Sequence, residues 1–177
     1  MKTKWIPLLA AVLVLAGCSN SDQVMGNIEY TWNEDGRSYT AIVRDDEDND
    51  LMKLKCTYVG KKPEKPVDTV IRRDWKTEDT DFYHYTLENL INQEIELINV
   101  SFRLKHGKGG KVYDTKTQAA IDKDWGGHLI QPKETLTRRN AWVWGKAKEN
   151  VLHKIYTARA GGKSFQVDTQ LVYKRFE

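Results

Sequence analysis

Two cysteines are the residues of this chain best suited to covalent chemistry. Cys18 follows an apolar run, residues 5–17, that ends in the small Ala16 and Gly17. Cys56 lies in residues 51–59, where apolar and polar side chains alternate, with Met52, Leu54, Cys56 and Tyr58 in one phase. This alternation predicts that Cys56 lies on the buried face of a strand, as a small unreactive side chain. An intermolecular disulfide or a reactive thiol is the alternative.

Patterns for metal or hydrolytic catalysis are missing from the sequence. The four histidines are His84, His106, His128 and His153, and no two of them have the close spacing of zinc ligands. If the acidic run 45–50 formed a calcium loop that starts at Asp46, Leu51 and Thr57 would occupy the positions of its required glycine and glutamate. There is no Gly-x-Ser-x-Gly or Ser-x-x-Lys sequence. We therefore expect no catalytic residue, metal or cofactor. Weak calcium binding and a zinc site assembled from distant strands are the alternatives.

Two tryptophans next to arginines are the strongest candidates for ligand contact. Trp142 and Trp144 are two residues apart and so share a face of a strand, and Arg138 and Arg139 precede them. Aromatic and arginine side chains together are typical of protein hot spots, and they also suit stacking on sugars. Alternation from Leu136 favours burial of both indoles in the core. If Val143 points inward instead, the indoles are exposed and mark a binding face.

The first 17 residues have the pattern of a signal peptide. Lys2 and Lys4 precede an apolar run of about 13 residues, which is shorter than the roughly 20 that a membrane-spanning helix needs.

The residues at the end of this segment, Leu15-Ala16-Gly17-Cys18, resemble the lipobox of bacterial lipoproteins. The resemblance implies that the Cys18 thiol receives a diacylglyceryl group, that cleavage precedes Cys18, and that its new amine is acylated. Ser19, where an aspartate would imply retention in the inner membrane, implies an outer-membrane location. Three acyl chains would hold the protein on the membrane almost permanently.

Composition suits a single anchored domain. The first 17 of the 177 residues are predicted to be removed, leaving 160, and the loss of two lysines lowers the net charge from +3 to +1. This charge gives no support for nucleic-acid binding. We assign residues 18–27 to a lipidated tether and residues 28–177 to the domain.

Period-two patterns with frequent turns predict a mainly β fold, an antiparallel sandwich of eight or nine strands. The apolar phase changes within residues 95–104, which predicts a bulge near Leu97–Ile98. A helix through residues 87–98 is the competing interpretation. One short helix is expected over residues 115–125, with Thr115 as its cap.

Residues 82–175 resemble the Ig-like envelope domains of the FxLYD type. The similar segments are LENLINQEIELINVSFRL (87–104), HGKGGKVYDT (106–115) and LIQPKETLT (129–137), the last with Lys133 in place of the usual glycine. The resemblance implies an Ig-like sandwich with an adhesion or assembly role and no catalysis. We therefore expect a lipid-anchored module that binds an envelope protein. A carbohydrate or peptidoglycan binder using Trp142 and Trp144, and an enzyme of unrecognised type, are the alternatives. The sequence does not indicate an oligomeric state.

Overall fold

The computed structural model describes residues 24–25, 27–65, 80–105, 111–143 and 151–170. The predicted signal peptide, Trp144 and the turn 106–110 lie outside these residues. In chain order the elements are β1 (Val24–Met25), β2 (Asn27–Trp32), β3 (Tyr39–Arg44), β4 (Asp50–Gly60), β5 (Asp81–Asn89), β6 (Ile95–Lys105), β7 (Lys111–Lys116), α1 (Gln118–Trp125), β8 (Leu129–Ile130), β9 (Thr135–Val143), β10 (Val151–Ala160) and β11 (Lys163–Gln170).

The strands form two sheets that enclose one apolar core. The first sheet has the order β2-β3-β4-β5-β9. The second has the order β1-β11-β10-β6-β7, with β8 paired to the same edge of β6 as β7. All pairs are antiparallel except β1 with β11. The predicted mainly β sandwich with one short helix is confirmed.

Alternate residues of each strand face the core, as period two requires. On β4, Met52, Leu54 and Cys56 are fully buried, while Lys53 and Lys55 are not. The prediction that Cys56 lies on the apolar face of a strand is confirmed. The acidic run begins in the loop between β3 and β4, and its last residue, Asp50, begins β4.

A bulge interrupts β6 where the apolar phase changes. Leu97 pairs with Ala158 and Asn99 with Thr157, so Ile98 is the extra residue on β6. Leu97 and Val100 can therefore both be buried although they are three residues apart. The predicted bulge is confirmed, and the competing helix over residues 87–98 is wrong because β5 and β6 occupy that segment.

The helix α1 starts later than its sequence predicted. β7 continues to Lys116, so Thr117, not Thr115, is the residue before the helix. Ile121 and Trp125 are the buried residues of α1, which packs against β6 and β9 and so connects the two sheets along one side. In the part of the chain that the structure describes, no helix is both long and apolar enough to cross a membrane.

Two short strands belong to the second sheet. Val24 and Met25 of β1 pair with Phe165 and Gln166, so these two residues of the predicted tether, residues 18–27, belong to that sheet, whereas the last tether residue, Asn27, begins β2. β8 pairs with the beginning of β6. Each contains two residues, which is too short to produce a visible period.

Candidate functional site

A bulge in β9 determines where the predicted binding residues point. Tyr83 pairs with Ala141 and Tyr85 with Arg138, so both Arg139 and Asn140 lie opposite His84. Asn140 has a φ of 49°, in the left-handed region. The extra residue places Ala141 in the core, so that the next residue, Trp142, faces the other way.

Trp142 is half-buried on the outer face of the first sheet. It pairs with Phe82, which is buried but does not belong to the core cluster. The prediction that Trp142 fills the sandwich core is therefore wrong, because the bulge reverses the alternation after Arg138.

The four predicted contact residues do not form one patch. The Arg138 side chain is largely buried on the core side of β9, where Nη2 lies 3.1 Å from Oδ2 of Asp124. Arg139 is exposed, and strand alternation places it on the outer face with Trp142. Trp144 lies outside the described residues. Arg138 and Trp142 therefore lie on opposite faces of β9.

The bulge is held by a side-chain cluster that the sequence did not reveal. Nδ2 of Asn140 donates to the carbonyl oxygen of Glu64 at 2.8 Å, and Oδ1 of Asn140 accepts from the backbone N–H of Glu64 at 2.9 Å. The backbone N–H of Asn140 donates to Nδ1 of His84 at 3.1 Å. Nε2 of His84 lies 2.6 Å from Oε2 of Glu64, so the neutral tautomer with a proton on Nε2 satisfies both contacts. These contacts fix the segment after β4 against the outer face.

A buried lysine lies among aromatic rings near the amino end of β10. Lys154 is 1% exposed, and its Nζ lies 3.7 Å from the ring centroid of Tyr85. The rings of Trp125 and Tyr156 have centroids 5.0 and 5.1 Å from the same atom. Among the described residues, this ammonium group has no hydrogen-bond acceptor.

Burial changes the ionisation of the groups around Lys154. Desolvation lowers the pKa of Lys154 well below its usual value, and the nearby Arg138 charge lowers it further. Desolvation raises the pKa of the Cys56 thiol to about 12. It also raises the pKa of Tyr156. These are potential nucleophiles, but each is fully buried, so their arrangement serves the core and not an open site.

The candidate site is a groove at the opposite end of the sandwich, with a volume of about 420 Å³. Its floor is apolar and consists of Leu51, Ile91, Ala160 and Phe165. Leu51, Ile91 and Ala160 are partly buried and pack against the core. We call this surface the loop-end groove. Its volume lies within the usual range for ligand pockets, roughly 300–1,000 Å³.

Three loops supply the polar rim of the loop-end groove. The β3–β4 loop contributes Asp45, Asp46 and Asn49. The turn between β5 and β6 contributes Asn92 and Gln93, and the β10–β11 hairpin contributes Gly161, Lys163 and Ser164. The groove therefore joins the two sheets, since the first loop belongs to one sheet and the hairpin to the other.

Asp45 and Lys163 both line the loop-end groove and are close enough for their charges to interact. Asp45 is held within its own loop, where Oδ1 accepts from the backbone N–H of Asn49 at 2.8 Å and of Glu47 at 3.0 Å. The Asn49 hydrogen bonds lower the pKa of Asp45, and the Lys163 charge adds to this effect. Asp46 is exposed beside it.

The β10–β11 hairpin closes one side of the groove with a two-glycine turn. Gly161 and Gly162 have φ values of 55° and 79°, as a two-residue hairpin turn of type I′ requires. A Cβ at position 161 would collide with Oε1 of Gln93, so glycine also permits Gln93 to approach the turn. Ala160 pairs with Lys163, so these two glycines are the residues of the turn.

Histidines and carboxylates are not gathered into a metal site within the described ranges. His128 Nδ1 lies 2.6 Å from Oδ1 of Asp122, near the end of α1, and His84 contacts Glu64 on another face. His106 lies outside the described residues, and no side-chain position is described for His153.

Comparisons with known proteins do not assign this chain to a family. No family model and no curated protein matches it. A solved structure, "X-ray structure of Northeast Structural Genomics Consortium target SoR45", is similar over 68% of this chain and 84% of its own, at 14% identity and a TM-score of 0.38.

Proposed function

We propose that this chain is a lipid-anchored envelope lipoprotein whose β-sandwich is a non-catalytic protein-binding or assembly module. The observation that carries the binding role is the loop-end groove, because it combines an apolar floor with polar groups from three loops. The Leu15-Ala16-Gly17-Cys18 sequence supports the anchor, and Ser19 supports an outer-membrane location.

Binding is favoured over catalysis by the position of the ionisable groups. Lys154 and Cys56 have strongly shifted pKa values, which often mark functional sites, but both side chains are closed off from solvent. The rim of the loop-end groove instead offers carboxylates, amides and one ammonium group, which suit recognition by hydrogen bonds and charge.

Fatty-acid labelling tests the anchor. We expect an alkyne-tagged fatty acid to label the wild-type protein in cells. We expect Cys18→Ser to remain unlabelled and largely uncleaved, because it lacks the acceptor thiol. Cys56→Ser is the matched control and should be labelled like the wild type. Normal labelling of Cys18→Ser would overturn the lipoprotein assignment.

Site-specific photocrosslinking in cells tests the binding role. A benzoylphenylalanine replaces Asn92 on the rim of the loop-end groove, or Glu34 in the turn between β2 and β3 at the other end of the sandwich. We expect a discrete crosslink to one envelope protein from position 92 and none from position 34. Equal crosslinking from both positions, or none from position 92, would contradict the binding role of this groove.

A further inference from the structure

We infer that the loop-end groove faces the membrane that carries the anchor, and that it receives a basic segment with an apolar side chain from an envelope protein next to that membrane. This inference rests on the proposed lipid anchor and names the partner's chemistry and the orientation of the domain.

The direction of β1 determines which end of the sandwich is near the anchor. β1 is parallel to β11 and Val24 pairs with Phe165, so the amino end of β1 lies beside the β10–β11 hairpin and the groove. Cys18 precedes Val24 by six residues. Six residues span at most about 20 Å when fully extended. The groove end therefore stays within about 20 Å of the lipidated cysteine.

The other end of the sandwich lies farther from the anchor. β3 has six residues, which corresponds to about 20 Å of strand. The β3–β4 loop lies at one end of this strand, and the β2–β3 turn, which contains Glu34, lies at the other. The two ends can thus be distinguished by their distance from the bilayer.

Charge on the rim favours a basic partner over the lipid headgroups themselves. Asp45 and Asp46 both line the groove, and Glu47 follows them in the same loop, whereas Lys163 is the one cation among the described residues that line it. Asp50, by contrast, already accepts from Arg44 at 2.7 Å. Anionic lipid surfaces attract basic and not acidic segments, so this rim is unsuited to them. Lysine or arginine side chains of a protein would be complementary to it.

The floor of the loop-end groove requires an apolar group from the same partner. Leu51, Ile91 and Phe165 would be covered by an aliphatic or aromatic side chain, and this burial provides the free energy that exposed ion pairs supply only weakly. A short segment that alternates basic and apolar residues satisfies both surfaces, and the volume of about 420 Å³ limits it to a few side chains.

Depth-dependent quenching tests the orientation. The lipidated protein is placed on phosphatidylcholine vesicles containing a spin-labelled lipid, with a bimane on Asp46→Cys or on Glu34→Cys. We expect stronger quenching at position 46, by several-fold, since that end adjoins the tether. Equal or reversed quenching on membrane-bound protein would overturn the orientation only. Failure of the protein to bind vesicles would overturn the anchor and this inference together.

Peptide binding tests the partner's chemistry independently of the membrane. The lipidated protein in detergent is titrated into fluorescein-labelled Lys-Leu-Lys-Phe-Lys and into its glutamate counterpart, Glu-Leu-Glu-Phe-Glu. We expect the lysine peptide to bind more tightly. Asp46→Lys should weaken this binding at least about threefold, and Lys163→Glu should strengthen it by a similar factor. Glu34→Lys and Lys123→Glu make the same charge changes on other surfaces and should have no effect.

Two results would contradict the basic partner. Tighter binding of the glutamate peptide would show that Lys163 dominates recognition. Weaker binding of the lysine peptide by both Asp46→Lys and Lys163→Glu would indicate a ligand that uses both charges, such as a zwitterionic peptide terminus. The quenching result would stand in either case.

Discussion

Lys154 is an ionisable residue buried in an otherwise largely apolar core. Its ammonium group is removed from water, and among the described residues it has no acceptor for a hydrogen bond. The ring of Tyr85, 3.7 Å from Nζ, attracts the charged form, an interaction of about 2 kcal/mol when desolvated. Desolvation of a charge costs more than this, so the pKa of Lys154 falls.

Replacement of Lys154 by methionine should stabilise the protein. Methionine has a similar length and no charge to desolvate, and we expect the free energy of unfolding at pH 7 to rise by about 1–4 kcal/mol. The folded-state pKa of Lys154 is lowered, whereas an unfolded lysine has a pKa of about 10.4. The wild type therefore loses stability as the pH falls from about 10.4 towards the folded-state pKa, and Lys154→Met does not.

Urea denaturation of both proteins at pH 7 and pH 10 measures this difference. The gain from Lys154→Met should be larger at pH 7 than at pH 10, where the unfolded lysine is partly neutral. Lys55→Met on the exposed side of β4 is the control and should change stability by less than about 0.5 kcal/mol. A loss of stability in Lys154→Met would mean that the charged amine has a favourable role in the core.

Cys56 should be unreactive in the folded protein. The thiol is fully buried and its pKa is about 12, so almost none of it is thiolate at pH 7. We expect maleimide labelling to be slow in native buffer and fast in a concentration of urea that unfolds the protein. Rapid native labelling, measured by mass spectrometry, would show that β4 opens readily or that the thiol is accessible.

At the scale of the elements, mutation of Asn140 tests what stabilises the β9 bulge. Asn140→Ala removes two hydrogen bonds to Glu64 and places a Cβ-bearing residue without a polar side chain at a φ of 49°. We expect it to lower the free energy of unfolding by about 3 kcal/mol, of which about 2 comes from the hydrogen bonds. Asn140→Gly keeps the left-handed conformation accessible and should cost about 1 kcal/mol less.

Chemical denaturation of the two variants separates the backbone and side-chain contributions. Asn27→Ala, on an exposed position of β2, is the control and should change stability by less than about 0.5 kcal/mol. Equal losses for Asn140→Ala and Asn140→Gly would show that the left-handed conformation carries no cost here.

The two bulges show what the sequence can and cannot predict. At Ile98 the apolar residues themselves change phase, so the bulge in β6 was predictable. In β9 the inward positions hold Leu136, Arg138 and Ala141, and because the second of these is charged, the sequence shows no change of apolar phase. The direction of Trp142 depends on the bulge that Asn140 stabilises through hydrogen bonds to Glu64, which is 76 residues away in the chain, so it was not predictable from the local sequence. Lys154 was likewise unpredictable, because a lysine in a strand is normally assigned to solvent.

The β10–β11 turn offers a second test at this scale. Gly161→Ala places a Cβ at a φ of 55°, so we expect a loss of about 1–2 kcal/mol in the free energy of unfolding. The exposed Gln93 side chain, whose Oε1 the new Cβ would meet, can move aside, so truncation of Gln93 in the double variant Gly161→Ala/Gln93→Ala should recover little of this loss. A double variant clearly more stable than Gly161→Ala would show that the contact with Gln93 carries part of the cost.

For the whole molecule, the candidate site follows from how the strands are arranged in the two sheets. The loop-end groove combines residues from the β3–β4 loop, the β5–β6 turn and the β10–β11 hairpin, which are far apart in the sequence. Each segment is predictable as a turn from its composition. Their meeting is not, because it depends on the chain crossing between sheets after β5, β8 and β9.

The same crossings predict that both sheets unfold together. Each sheet contains strands from separate parts of the chain, and one apolar core contacts both sheets, so neither sheet can lose its packing alone. Domains of about 150 residues or fewer usually unfold in one transition. Trp32 packs on Tyr39 in the first sheet, with ring centroids 4.8 Å apart, and Trp125 of α1 packs on Tyr156 of the second at 6.3 Å. With 5-fluorotryptophan incorporated and signals assigned through Trp32→Phe and Trp125→Phe, we expect both native ¹⁹F signals to disappear at the same urea concentration. Earlier loss of the Trp125 signal would show that α1 separates from the sandwich before the sheets unfold.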